Sequence, residues 1–196
     1  MNIPRERSQS SSIALTQPWQ ETPDAGFQQS RVQLHWEPAA LHVSVQLDDT
    51  RIVSSATGHN QSLHLLGDTL EVFLKRPESE SYLELHVDPQ NFRTALRWPP
   101  GGIERVRENT GTRVEDFRID PESFGSRVQI FPDAWHVAIT VPPVLLDLET
   151  WSRGQTLQFS ISRYDYAEGT PILSTVAAHA VKNFHRTTDW LPATLL

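Results

Sequence analysis

The chain has 196 residues, 38% of them hydrophobic and 21% charged, with a net charge of -7 and no cysteine. That length suits one domain with a sufficient core. The acidic balance with interspersed charges argues against a nucleic-acid binder, and zero cysteine excludes disulfides, zinc-thiolate sites and thiol nucleophiles.

The opening residues, Met1 to Arg7 and then a Ser/Gln run, lack the apolar stretch of a signal peptide. No apolar run approaches membrane-spanning length, so no membrane partner is expected. The default expectation is a cytoplasmic chain, or an exported one whose leader has been removed. Residues 1–14 read as a flexible N-terminal arm and 15–196 as a single domain.

From Arg31 the sequence alternates with period two. Residues 31–36 form one expected strand and Leu41 to Leu47 a second, joined by a hairpin turn at Glu37-Pro38-Ala39-Ala40. A polar loop covers 54–67. Three strands follow over 68–75, 82–88 and 92–98, with connections short enough for a meander. Pro99-Pro100-Gly101-Gly102 breaks the pattern, and the polar stretch to Gly125 reads as a long loop. Strands resume at 127–131, 135–141 and 156–164. Val144 to Leu148 suggests a helical turn, 171–178 a weaker strand, and the tail an edge strand. Roughly eight to ten strands without a long amphipathic helix indicate an all-β fold, an antiparallel two-sheet β-sandwich of jelly-roll or immunoglobulin-like type.

Alternation also sorts side chains onto faces. Leu70, Val72, Leu74, Leu83, Leu85 and Val87 point to the core. The opposite face gathers Glu71, Glu84, His86, Arg93 and Arg97, with Tyr82 and Phe73 close by. Such a mixture of carboxylates, guanidinium groups, an imidazole and rings is what a sugar needs for its hydroxyls and its C–H face. A solvated face with cross-strand ion pairs is the competing reading. Trp36 and Trp135 sit mid-strand and are expected in the core. Trp98 ends a strand and Trp190 lies in the tail, where either could serve as a stacking platform.

Enzyme signatures are weak. Glu84/Asp88 on one strand and Glu71/Glu84 on neighbouring ones arise by simple alternation, and no nucleophile elbow, His-Glu-x-x-His or phosphate loop occurs. The eight histidines are scattered, with only His59 and His64 near each other. Asp48-Asp49 with Asp68 offers oxygen ligands for a structural calcium.

In order, these segments resemble the family-9 carbohydrate-binding modules and the wider DOMON-like sandwich group. Leu41 to Asp49 is similar to an early strand ending in acid, and Gly67-Asp68-Thr69-Leu70-Glu71-Val72-Phe73-Leu74 to the family's Asp-x-x-Glu-x-Phe strand. Ala134 to Pro142 is similar to its Gly-Trp strand before proline, and Phe159 to Asp165 with Asn183 to Arg186 complete the match. The resemblance implies a non-catalytic sugar-binding domain, often with structural calcium and a partner enzyme, with Glu71, Arg97 and Trp98 at ligand-contacting positions. The chain departs from the family pattern at His64-Leu65-Leu66-Gly67, where a clamping Trp is usual, and at Ala138, where an acid is usual. Two alternatives remain: a DOMON-like haem or sensor domain, and a protein-interaction scaffold. Haem held by Met and His conflicts with a single Met at position 1.

Overall fold

The computed structural model describes residues 1–166 and 169–196. Among them are the strands β1 (Asn2–Ile3), β2 (Ile13–Ala14), β3 (Ser30–Glu37), β4 (Ala40–Asp48), β5 (Thr69–Lys75), β6 (Tyr82–Val87), β7 (Arg93–Trp98), β8 (Gly125–Ile130), β9 (Ala134–Val141), β10 (Thr156–Asp165), β11 (Ile172–Thr175) and β12 (Leu191–Leu195), with one short helix, α1 (Gly102–Arg107). They form two sheets. The seven-stranded sheet runs β1-β12-β10-β5-β6-β7, with β11 also on β10, and the five-stranded sheet runs β2-β3-β4-β9-β8. The fold is a two-sheet β-sandwich. The expected hairpin pairs Glu37 with Ala40, and β5, β6 and β7 form the expected meander.

The period-two pattern explains the core. Val32, Leu34, Val43, Val45, Trp135, Val137 and Ile139 meet Leu70, Val72, Leu74, Leu83, Leu85, Val87, Phe159 and Ile161 between the sheets. Trp36 and Trp135 belong to this core, and Trp36 donates its indole N–H to the Leu196 carbonyl. Gly67 marks a tight crossing before β5: its φ is +146°, and a Cβ there would lie 2.3 Å from the Val53 carbonyl oxygen.

Four expectations are corrected. Residues 1–14 are tied down, not loose: β1 pairs parallel with β12, β2 pairs with β3, and Ile3 is fully buried. The stretch 99–124 is not an unstructured loop but holds α1 and 3-10 turns at Val114–Phe117 and Pro121–Ser123. The tail strand β12 is not an edge; it lies between β1 and β10. Arg93 and Arg97 pair with Val87 and Leu83, so they leave the sheet on the core side, away from Glu84 and His86. Strand β7 is the sheet's edge, so both long side chains reach around the core to its rim. Arg97 binds Asp147 at 2.9 Å and the Leu145 carbonyl at 2.8 Å. Arg93 reaches the Phe124 carbonyl and Glu122.

Candidate functional site

The outer face of β5–β7 is covered. Phe73, Tyr82, Leu96, Trp98, Ile103, Phe184 and Trp190 form a second apolar cluster on it, outside the sandwich core. Ile103 comes from α1, while Phe184 and Trp190 come from the segment before β12. Trp98 stacks on Tyr82 at 6.1 Å and against Phe117 at 4.9 Å. Trp190 meets Tyr82 edge-on at 5.3 Å and donates to the Phe184 carbonyl. Both indoles are buried, 1% and 3% exposed, so they build the wall instead of standing free as platforms.

A polar group lies beside these rings. His86 Nε2 is 2.6 Å from Glu84 Oε1 and 3.2 Å from Glu71 Oε1. The other oxygen of Glu84 accepts the indole N–H of Trp98. Tyr82 and His185 share a 2.7 Å hydrogen bond, and His185 Nδ1 lies 3.9 Å from Glu84. Glu71, Glu84 and His86 are all nearly inaccessible. Burial raises Glu71 to about 8, with His86 opposing and Glu84 adding to the rise. Burial acts upward on Glu84 as well, but His185, His86 and the Trp98 N–H outweigh it and hold it near 2. Burial by itself would lower His86; the two carboxylates raise it. At neutral pH the trio is therefore imidazolium, carboxylate and carboxylic acid, with no net charge. This is the state that costs least in a buried site.

Two clefts open over this group. The first, about 450 Å³, is lined by Gln61, Ser62, His64, Glu84, His86, Thr94, Leu96, Trp98, Ile103, Val114, Arg118 and His185. The second, about 540 Å³, includes Glu71, Arg107, Tyr164 and Lys182 and shares His64 and His185 with the first, so these two imidazoles form the divide. Three polar side-chain atoms of residues lining the first cleft are buried without a hydrogen-bond partner, His64 Nδ1, His86 Nδ1 and Arg118 Nε. Burial lowers His64 to about 4, with the charge of His86 adding to the effect, so its ring is neutral at pH 7.

Of the residues singled out in the sequence, Glu84, His86 and Trp98 line the first cleft and Glu71 the second. Tyr82 and Trp190 stand behind them, and Arg97 is elsewhere. Arg118, Ser62 and His185 escaped sequence reasoning as site residues, and His64 was noted there only beside His59. They come from turns and loops without periodicity, Ser62 and His64 in one turn and Arg118 and His185 far from it in the chain.

Two other clusters bear on chemistry. Ser160 Oγ lies 3.4 Å from His179 Nε2, and His179 Nδ1 lies 3.5 Å from Asp189. Ser160 and His179 are both 0% exposed, so this serine cannot meet a substrate as it stands. Glu71 and Glu84 converge on one imidazole nitrogen and do not flank an open space, as glycoside hydrolysis requires. Asp49, Asp68 and Asp165 converge as well. Asp48, expected among them, instead accepts from Gln46. Arg163 lies at 3.0 Å from both Asp49 and Asp165, while Asp68 accepts the backbone N–H groups of Val53 and Tyr166.

The fold is that of the carbohydrate-binding-module sandwiches. A candidate carbohydrate-binding protein from Bacteroides uniformis superposes with TM-score 0.75 at 9% identity, over 96% of this chain and 88% of that one. A family-9 module from Caldicellulosiruptor kristjanssonii in complex with cellotriose gives 0.70 at 13% identity, over 100% and 92%. The same organism's module in complex with glucose gives 0.71 at 13%, over 100% and 95%. No protein-family model and no curated protein sequence matches the chain.

Proposed function

We propose that this chain is a non-catalytic carbohydrate-binding domain whose sugar site is the cleft over Trp98, Leu96 and Ile103. The observation that carries this reading is the pairing, in one cleft, of an apolar wall with polar side chains. Gln61, Ser62, His64 and Arg118 supply that polar side. A sugar ring would lay its C–H face on the Trp98 side and engage His64, Ser62 and Arg118 with its hydroxyls. Glu84 has a different role from a direct ligand contact. Both its oxygens are already used by His86 and Trp98, so it fixes the wall. The structural neighbours solved with cellotriose and glucose support the ligand class. The buried Ser160 and the converged carboxylates support a non-catalytic role.

Affinity electrophoresis and titration calorimetry with glucose, cellotriose and a broad glycan panel test this. Saturable binding to at least one glycan is expected, weakened roughly 10-fold in Arg118→Ala, the loss of one charge-assisted hydrogen bond of about 1.5 kcal/mol. Flat responses across the panel would overturn the reading.

We also infer that the Asp49–Asp68–Asp165 cluster does not hold calcium. Calcium takes 6–8 oxygen ligands and repels a guanidinium, and here Arg163 already sits on two of the three carboxylates as the internal cation. Chelator treatment should leave the melting temperature unchanged; a drop that added calcium reverses would refute this.

A further inference from the structure

We propose that His64, Glu71 and His86 form a binding site for a divalent transition-metal ion, of which zinc is the natural probe. The site goes beyond the sugar reading; it shares His64 with the sugar cleft, but metal uptake needs no glycan and is tested without one.

The three residues come from separate places: the 3-10 turn Leu63–Leu65, strand β5 and strand β6. Each offers one donor atom within 4.8 Å of the others. Glu71 Oε1 lies 3.2 Å from His86 Nε2 and 4.0 Å from His64 Nδ1. Tetrahedral zinc with bonds near 2.1 Å separates its ligand atoms by about 3.4 Å. The Glu71–His86 pair already meets that spacing. His64 needs a shift of several tenths of an ångström, and it sits on a short, partly exposed turn. Its Nδ1 is buried and has no hydrogen-bond partner, so it is a lone pair or donor aimed at nothing but Glu71.

Donor chemistry selects the ion class. Two imidazoles with a carboxylate suit zinc and its first-row neighbours, whereas calcium and magnesium demand oxygen alone. Binding requires His86 Nε2 to give up the proton it now shares with Glu84 and Glu71 to give up its carboxylic-acid proton, and both protons leave to solvent. Oε1 of Glu84 is then released beside the ion and becomes the fourth ligand, while its other oxygen stays on Trp98. The ion would sit on the divide between the two clefts.

The stacked pair His35–His42, at 4.5 Å on the other sheet, is the obvious rival zinc binder, with Glu37 beside it. The test is therefore calorimetric titration of the chelator-stripped full chain with zinc, read together with the melting temperature. One equivalent is expected to bind and raise the melting temperature, with calcium and magnesium inert. His64→Ala, a change on an exposed turn that should fold, is expected to weaken binding at least 10-fold, as is Glu71→Gln, while His42→Ala leaves it unchanged. No zinc uptake by the parent chain would overturn the proposal. So would uptake lost in His42→Ala and retained in His64→Ala.

Discussion

The two sheets carry the same alternating pattern and bury it differently. On the five-stranded sheet, side chains opposite the core remain in contact with water: Arg31, Gln46, Ala138 and Thr140 are exposed, and Gln33 and Ser44 half-buried. On the seven-stranded sheet, Glu71, Phe73, Glu84 and His86 occupy the equivalent outward positions and are all buried, because α1 and the segment before β12 lie across them. A polar outward face is cheap in water and costly under a cover. Under a cover it persists only as a mutually satisfied network. The covered face is thus the one where chemistry has been arranged.

The largest break in that comparison is His86→Ala. It strips the imidazolium from buried Glu84 and Glu71, and losing one partner of a buried ion pair costs about 3–5 kcal/mol. The matching change on the open sheet, Gln46→Ala, should stay within about 0.5 kcal/mol. Urea unfolding of both variants measures the contrast, and similar costs would mean that the cover adds nothing. Arg163→Ala belongs with His86→Ala. It strips the guanidinium from Asp49 and Asp165 at the sheet end and should cost about 3 kcal/mol or more.

The difference between the faces also explains what could be read from the residues alone. Strands β3, β4 and β9 alternate cleanly because one side is wet, and their bounds and facing followed directly from the sequence. Glu71, Glu84 and His86 were placed on one face by the same logic. Arg97 was placed there wrongly. In β7 both faces are partly apolar, Leu96 and Trp98 on one and Ala95 on the other, so alternation has no sign to give. The cover itself was invisible: α1 is only six residues long, and its one apolar anchor in the cleft, Ile103, follows a Pro-Pro-Gly-Gly break. His64, Arg118 and His185 sit on turns, where no period links a residue to its neighbours in space. The Asp49–Asp68 approach was legible from strand ends, but Asp165 and Arg163 needed the pairing of β10 with β5 to join them.

The smallest expected effect is a pH slope from the covered sheet's end. Burial raises Asp68 to about 7 from an ordinary value near 3.8; the two backbone N–H groups oppose this, and Asp49 and Asp165 add to it. Between those two values the folded chain holds a proton on Asp68 that the unfolded chain has released. Unfolding then releases a proton, so the contribution is largest below the ordinary carboxylate range and is lost as pH rises through 7. His64 acts oppositely. Lowered from 6.5 to about 4, it stays neutral when folded and takes a proton when unfolded, so its contribution is present above pH 6.5 and lost as pH falls toward 4. From about pH 4 to 6.5 these two slopes oppose and cancel, and above 6.5 only the loss from Asp68 remains, joined by that from Glu71, which burial raises to about 8. Melting temperatures taken in chelator should therefore fall between pH 6 and 8. In His64→Ala the opposing slope is gone, so stability should rise relative to the parent chain as pH falls from 6 to 4, while the fall between 6 and 8 persists. A flat profile from 6 to 8 would mean that Asp68 and Glu71 are both ionised in the folded chain, and that the charges around them are balanced more fully than their burial implies.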